Sequence, residues 1–500
     1  MADEPSVDSN PNRQKRVPMS TNFRHHFFFD RSCHSTHNDR KTHRQLGRPQ
    51  VRNTNPHPSH STLYSFGPLS PKLPVNHPEL PIEFKNLPFL SLPKGYCYSV
   101  VSYAGDIMCD GNRVPTNHGS MAAFRGSQGT TVVLRNHNLR NEDTKVQVKT
   151  GSYYDAKRSG GTSTLVFNHR GRLCLHHGSL AGTDSNQTGC STPWNTWLTC
   201  EGNFSEGEER HGYVFEIPSD GFAETQPIRE MGRFAHGGAA IDSRSGMIYM
   251  TENRSDGLFY RFRPHQSGEL DEGGTLEALR IVSPVPQGNS TVTYFNRFAA
   301  LSRVGWVSID DPDPDTEFGN YSTRAQGQQK EASTFNRSIG PWYYQGLIYF
   351  ASRKEETNSR RIVWAFDPEC ETIMENPTTP FRELVDHIAH EPQMGRFPPC
   401  HEFAIDPVGR LCCTYSASER SSIIVADSAG KTFKIVGNRY NNSNFSGLCF
   451  SPSNRLMFAN ISDPGITFVI HGPWKRGLNV AVESIANPRT SFIEHLSTAR

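Results

Sequence analysis

One local pattern recurs along this chain: a short apolar strand, a polar turn, then a second short strand. It appears in LVFNHRGRLCL (165–175), AIDSRSGMIYM (240–250), FAIDPVGRLCC (403–413) and CFSPSNRLMFA (449–459), and more loosely in IIVADSAGKTFKI (423–435). Asp, Asn, Ser and Gly supply the turns, because they mimic backbone hydrogen bonds or tolerate positive φ. A hairpin cannot bury its apolar faces alone, so hairpins repeated over most of a long chain must pack against one another. The expected fold is all-β, a β-propeller of small antiparallel sheets, with a pair of β-sandwiches as the alternative. Outside the strands, only FRELVDHIAH (381–390) reads as a short helix.

Residues 1–75 have a different texture, rich in His, Arg, Ser and Pro and without strand or helix period, so they read as a disordered tail. The histidines at His34, His37, His43, His57 and His60 are irregularly spaced, as in a solvated tail rather than a metal site. The folded part is expected over 90–480, followed by a C-terminal tail at 481–500. A net charge of +2 gives no bulk electrostatic reason to bind nucleic acid or an anionic membrane. No apolar run approaches the ~20 residues needed to span a bilayer. The opening residues MADEPSVDSNPNRQKRVPMS show no apolar signal region, which leaves the compartment open. Eleven cysteines without a C-x-x-C pair do not suggest a disulfide framework.

The stretch TWLTCEGN (196–203) sets a thiol beside a carboxylate at a strand end, Cys200 and Glu201. Two other strands end in matching register, IYMTE on Glu252 and LCCTY on Tyr415. Equivalent strand ends in successive propeller blades converge near the central channel, where two carboxylates and a thiol would suit a transition metal. The competing reading is polar side chains satisfying strand-end amides. Phosphate-binding glycine loops, a G-x-S-x-G elbow and H-E-x-x-H are all absent from the sequence.

The segment SLAGTDSNQTGCSTPWNTWLTCEGN (179–203) resembles the signature of the PhoX-type alkaline phosphatases. So do GDIMCDGNRVPTNHGSMAAF (105–124), HGYVFEI (211–217), GRFAHGGAAID (232–242), FNRSIGPWYYQGLIYFAS (335–352) and GLCFSPSNRLMFANISDPGITFVIHGPW (447–474), in family order. The resemblance implies a six-bladed propeller with a mixed iron–calcium centre that hydrolyses phosphate monoesters. It also implies that a cysteine and several carboxylates hold the metals and that an arginine binds phosphate. Ferric iron accepts thiolate and carboxylate, calcium takes oxygen, and both offset phosphate charge. On this resemblance Cys200, Glu201 and Glu252 are the metal ligands and Arg337 the phosphate-binding catalytic residue.

The chain departs from the family at acidic positions. Gly119 stands for the aspartate of H-D-G-M-A, Asn138 for the glutamate of N-H-E, and Gly237 for the glutamate of F-x-H-E. Ile339 replaces the glutamate after the motif arginine, Asn253 the aspartate of T-E-D, and Asn444 the glutamate of E-F-x-G. His401 and Glu402 stand over an Asp-Asn pair, and Tyr415 and Ser416 over two acids. His236 and His401 are the candidate replacement ligands. The expectation is therefore a family member with weak or no metal-dependent phosphatase activity, its calcium and iron depleted. Two alternatives stay open: an active phosphomonoesterase or phosphodiesterase with a reduced centre, and a calcium-dependent hydrolase using Glu201, Glu252 and Asn138. Any ligand is expected to be a phosphate ester or other small anion.

Overall fold

The structure, a computed structural model, describes residues 66–76, 79–140, 144–148, 153–221, 226–282, 301–353, 361–375, 400–415, 420–426 and 432–474. The chain divides between Thr62 and Leu63 into two units, and every described residue belongs to the second. The expected helix at 381–390, the tail at 481–500, Ser416 and nearly all of residues 1–75 lie outside the described residues.

The turns are built as their composition suggests. Asn168 Oδ1 accepts from the amides of Arg170 and Arg172, Asp242 Oδ1 from that of Arg244, and Asp406 Oδ1 from those of Val408 and Arg410. Gly171, Gly246 and Gly409 follow with φ of 76°, 73° and 87°, conformations that other residues adopt at a cost. The turns close ladders at Phe167–Leu173, Ile241–Ile248 and Ile405–Leu411. The hairpins at 449–459 and 423–435 close at Phe450–Met457 and Ala426–Thr432.

These hairpins extend into five antiparallel sheets. The first runs His118–Arg125, Thr131–His137, Gly160–Phe167, Leu173–Thr183, and the second Asn186–Ser191, Thr196–Glu201, Val214–Pro218. A nine-stranded sheet holds two meanders, opening at His236–Ile241 and at Ile339–Tyr344. They join where Leu301–Ser308 pairs with Thr372–Glu375. The next sheet opens at Cys400–Ile405 and the last at Phe445–Phe450. The strand Cys97–Tyr103 completes that last sheet by pairing with Ile466–His471, so the two ends of the folded region share one sheet.

The first strands of successive meanders touch in turn, and the last touches the first, closing a ring. Apolar clusters fill the spaces between neighbouring sheets. Phe124, Leu134, Trp197 and Phe215 pack between the first two, and Val133, Phe167, Phe458 and Val469 between the last and the first. Burying such side chains stabilises by about 1.5–3 kcal/mol each. The architecture is a β-propeller, all-β as expected, and not paired sandwiches.

A described strand lies within the segment that reads as a tail. Ser70–Lys72 pairs with Leu90–Leu92 at the edge of the sheet that opens at Cys400, and Tyr98 Oη donates to the Lys72 carbonyl at 3.0 Å. Three residues, Ser-Pro-Lys, are too few to carry a readable period.

Candidate functional site at the ring of strand ends

One irregularity recurs in every meander. Near its start, the first strand carries a β-bulge, between His118 and Met121, Asn186 and Thr188, His236 and Gly238, Ile339 and Trp342, Cys400 and Phe403, and Ser446 and Cys449. Ahead of the bulge, the opening residue faces a residue at or near the end of the second strand. The pairs are His118–His137, Asn186–Glu201, His236–Glu252, Ile339–Ala351, Cys400–Tyr415 and Phe445–Ile461. Bulges re-aim side chains and are frequent beside functional sites. The expected site residues Glu201 and Glu252 thus occupy equivalent places in neighbouring meanders.

Cys200 and Glu201, adjacent in one strand, point to opposite faces. Cys200 is fully buried among Leu198, Val214, Ile241 and Met250. Burial pushes its thiol well above the usual range, which favours the neutral form over a thiolate. Glu201, also fully buried, turns the other way. Its Oε1 accepts from the Asp184 amide at 2.7 Å and His211 Nδ1 at 2.8 Å, and its Oε2 from the amides of Gly212 at 2.7 Å and Tyr213 at 3.0 Å. A carboxylate offers about four acceptor positions, and protein donors fill them here.

His211 also places Nε2 3.2 Å from Asp155 Oδ2, so both ring nitrogens face carboxylates. Burial alone would lower its pKa, but the bonds to Glu201 and Asp155 hold it above the ordinary imidazole value. Asp184 continues the network: Ser185, Asn203 and Ser205 donate to it, and Arg140 and Arg158 approach at 3.6 and 3.5 Å. Those side-chain bonds outweigh burial and hold Asp184 below the usual carboxylate range.

Glu252 has a different partner. Arg324 Nη1, on the helix Thr323–Gln329, lies 2.6 Å from Glu252 Oε1, and Oε2 accepts from Tyr260 Oη at 3.0 Å and the Leu258 amide at 3.2 Å. Arg324 also bridges to Asp256 at 2.9 Å. Burial pushes Glu252 up, against the pull of Arg324 and Tyr260. Across the ladder, His236 is buried against Phe234, and its Nδ1 has no hydrogen-bond partner. Burial drops that ring to about 3, so it is neutral.

Arg337 precedes the strand Ile339–Tyr344 in a left-handed conformation, φ 45°, with its side chain exposed and its amide bonded to the Arg254 carbonyl at 2.6 Å. Asn138 and Asn253 are half-buried at strand ends, their amides bonded to the Asn117 and Ala235 carbonyls. At Gly237 a Cβ atom would sit 2.3 Å from the Ser338 carbonyl oxygen, so the room for any side chain is taken by backbone. Gly119 is less confined, its nearest neighbour being Asn136 Cβ at 3.2 Å. Among the described residues, no three His, Cys, Asp or Glu side chains gather where they could hold one metal ion.

Sequence reasoning missed His211, Asp155, Asp184 and Arg324, although HGYVFEI and AGTDSNQTG carry two of them. It also missed Arg135, which is fully buried in the strand Thr131–His137. Arg135 donates to Ser102, Thr467 and His118 through Nη1 and to His176 through Nη2, at 2.7–3.2 Å. Burial drops its pKa to about 9. Burial, joined by the Arg135 charge, holds His118 and His176 well below the ordinary value, so these imidazoles are neutral acceptors.

The family model for alkaline phosphatase PhoX matches residues 77–377. No curated protein sequence matches the chain. Among solved structures, PhoX of Pseudomonas fluorescens in complex with vanadate, a transition state analogue, is similar with a TM-score of 0.56 at 14% identity, over 77% of this chain and 96% of that one. A gluconolactonase from Xanthomonas campestris gives 0.39 at 12%, over 75% and 100%. Virginiamycin B lyase from Staphylococcus aureus gives 0.36 at 11%, over 75% and 99%. The family match covers more than half of a chain that folds as a propeller, and the chain belongs to the PhoX alkaline phosphatase family.

Proposed function

We propose that this chain is a PhoX-family propeller whose phosphatase centre has been replaced by internal charge pairing, leaving a scaffold with weak or no metal-dependent phosphatase activity. The family is metal-dependent, and its chemistry needs cations that polarise a phosphoryl oxygen and supply an activated oxygen nucleophile. The observation that carries the reading is the pairing of Glu252 with Arg324 at 2.6 Å. A guanidinium offsets the carboxylate charge but has no open coordination position. Glu201 supports the same reading, since four protein donors fill its oxygens. Cys200 sits in an apolar cluster as a neutral thiol. As arranged, Cys200, Glu201 and Glu252 do not fit an iron–calcium centre. We count the nine-stranded sheet as two blades joined at their outer strands, which makes the propeller six-bladed.

Arg337 is the residue that the family resemblance assigns to an anion; it is exposed, and a guanidinium can bind phosphate. Without metals beside it, such binding would be weak. The test is hydrolysis of p-nitrophenyl phosphate by the full chain, with and without added calcium and iron. The proposal expects no metal-stimulated turnover above that of an Arg337→Ala variant. Turnover that needs metal and disappears in Glu252→Gln and Cys200→Ser would instead establish an active phosphomonoesterase with a reduced centre.

A further inference from the structure

Beyond the bulges, the first strands of all the meanders line a cavity of about 630 Å³ on the propeller axis. It starts at Ser120, Thr188, Gly238, Gly340, Glu402 and Leu448 and runs toward the C-terminal ends of those strands. There Ser191, Ser243 and Ile405 are exposed, so this end meets solvent. The ring of His118, Glu201, His236 and Glu252 lies at or before the bulges, at the other end. The cavity therefore lies beyond those four residues, and among its described lining residues it shares only Glu402 with the substituted motif positions. Its size is that of a small-molecule site, about 300–1,000 Å³.

The charge of this cavity is one-sided. Among the described residues that line it there is no Lys, Arg, His or Asp, and Glu402 is the one carboxyl group. Ser120 Oγ donates to Glu402 Oε1, and the Leu448 amide donates to Oε2 at 2.9 Å. The Gly447 backbone also bonds to it, leaving about one acceptor position open, and no described cation pairs with it, in contrast to Glu252. Burial pushes the Glu402 carboxyl up, so a charge there is costly while it lacks a counterion. Aromatic walls stand close by. Trp342 and Phe403 meet edge to face with centroids 4.5 Å apart, and Tyr344 and Phe450 also line the space.

We propose that this axial cavity binds a small organic ammonium ion with a flat apolar body. Glu402 would take the charge, and Trp342 with Phe403 would hold the apolar part, where aromatic faces also attract cations. A phosphate ester is excluded by the same features, because an anion would meet a carboxyl group and no cation. The ligand chemistry is thus opposite in sign to that of the family's phosphatase substrates.

The experiment is calorimetric titration of the full chain with phenethylamine and, separately, with phenylacetate, which has a similar body and the opposite charge. The amine should bind saturably at one site and phenylacetate should not. Glu402→Gln should weaken amine binding at least tenfold. Equal binding of amine and acid, no binding of the amine, or unchanged affinity in Glu402→Gln would each overturn the proposal. Should that variant fail to fold, the comparison of amine with acid on the unmodified protein decides.

Discussion

Arg324 Nη1 lies 2.6 Å from Glu252 Oε1, tying the helix Thr323–Gln329 to the end of the strand Ile248–Glu252. The carboxylate is fully buried and the guanidinium nearly so, with side-chain exposures of 0% and 8%. On the reading proposed above, the chain itself compensates a charge that a metal ion would hold in an active centre. The centre of this propeller would then hold together through covalently supplied cations, Arg324 at Glu252 and His211 at Glu201.

Removing one partner of a buried pair strands the other charge, at a cost of about 3–5 kcal/mol. Arg324→Met should lower stability by that amount in urea unfolding, and Glu252→Gln combined with Arg324→Met should recover a good part of it. A loss below about 1 kcal/mol in the single variant would mean that the pair is not the counterion described.

The network around Glu201 predicts how stability varies with pH. His211 has a raised folded-state pKa, so its contribution is complete below the unfolded value of about 6.5 and is lost as pH rises through the folded value. Asp155 and Asp184 are held below the ordinary range, where hydrogen bonds outweigh burial. Their contribution is present above about 3.9 and is lost as pH falls through the folded values. Urea midpoints across pH should fall on both sides, and His211→Gln should remove the alkaline decline. An alkaline slope that is unchanged in that variant would count against His211 as the cation.

Gly119 and Gly237, which the family resemblance sets at acidic positions, should respond differently to a methyl group. Gly237→Ala places Cβ 2.3 Å from the Ser338 carbonyl oxygen, and overpacking of this kind costs about 1–3 kcal/mol. At Gly119 the nearest atom is 3.2 Å away, so Gly119→Ala should cost clearly less. Thermal melts of the two variants check the order. Restoring glutamate at 237 should destabilise further and confer no phosphatase activity.

The hairpins were legible because turn chemistry is local: Asn168, Asp242 and Asp406 each hold amides within four residues of themselves. Their place in a sheet was not legible. The segments 240–250, 403–413 and 449–459 join first and second strands, whereas 165–175 and 423–435 join third and fourth. Turns of similar composition serve both. The register of Glu201 and Glu252 was readable from strand endings. The two-residue period alone already put Cys200 and Glu201 on opposite faces. What the sequence could not display was Arg324 at Glu252, 72 positions away, because only tertiary packing brings the helix to that strand end. The bulges were hidden for the same reason, since they are defined by the partner strand.

Elemental analysis of the full chain, purified without chelator, tests the central claim most directly. The account predicts a folded protein without stoichiometric iron or calcium, whose melting temperature does not change when EDTA is added. Iron or calcium bound at one or more ions per chain, and lost in Glu252→Gln or Cys200→Ser, would contradict it.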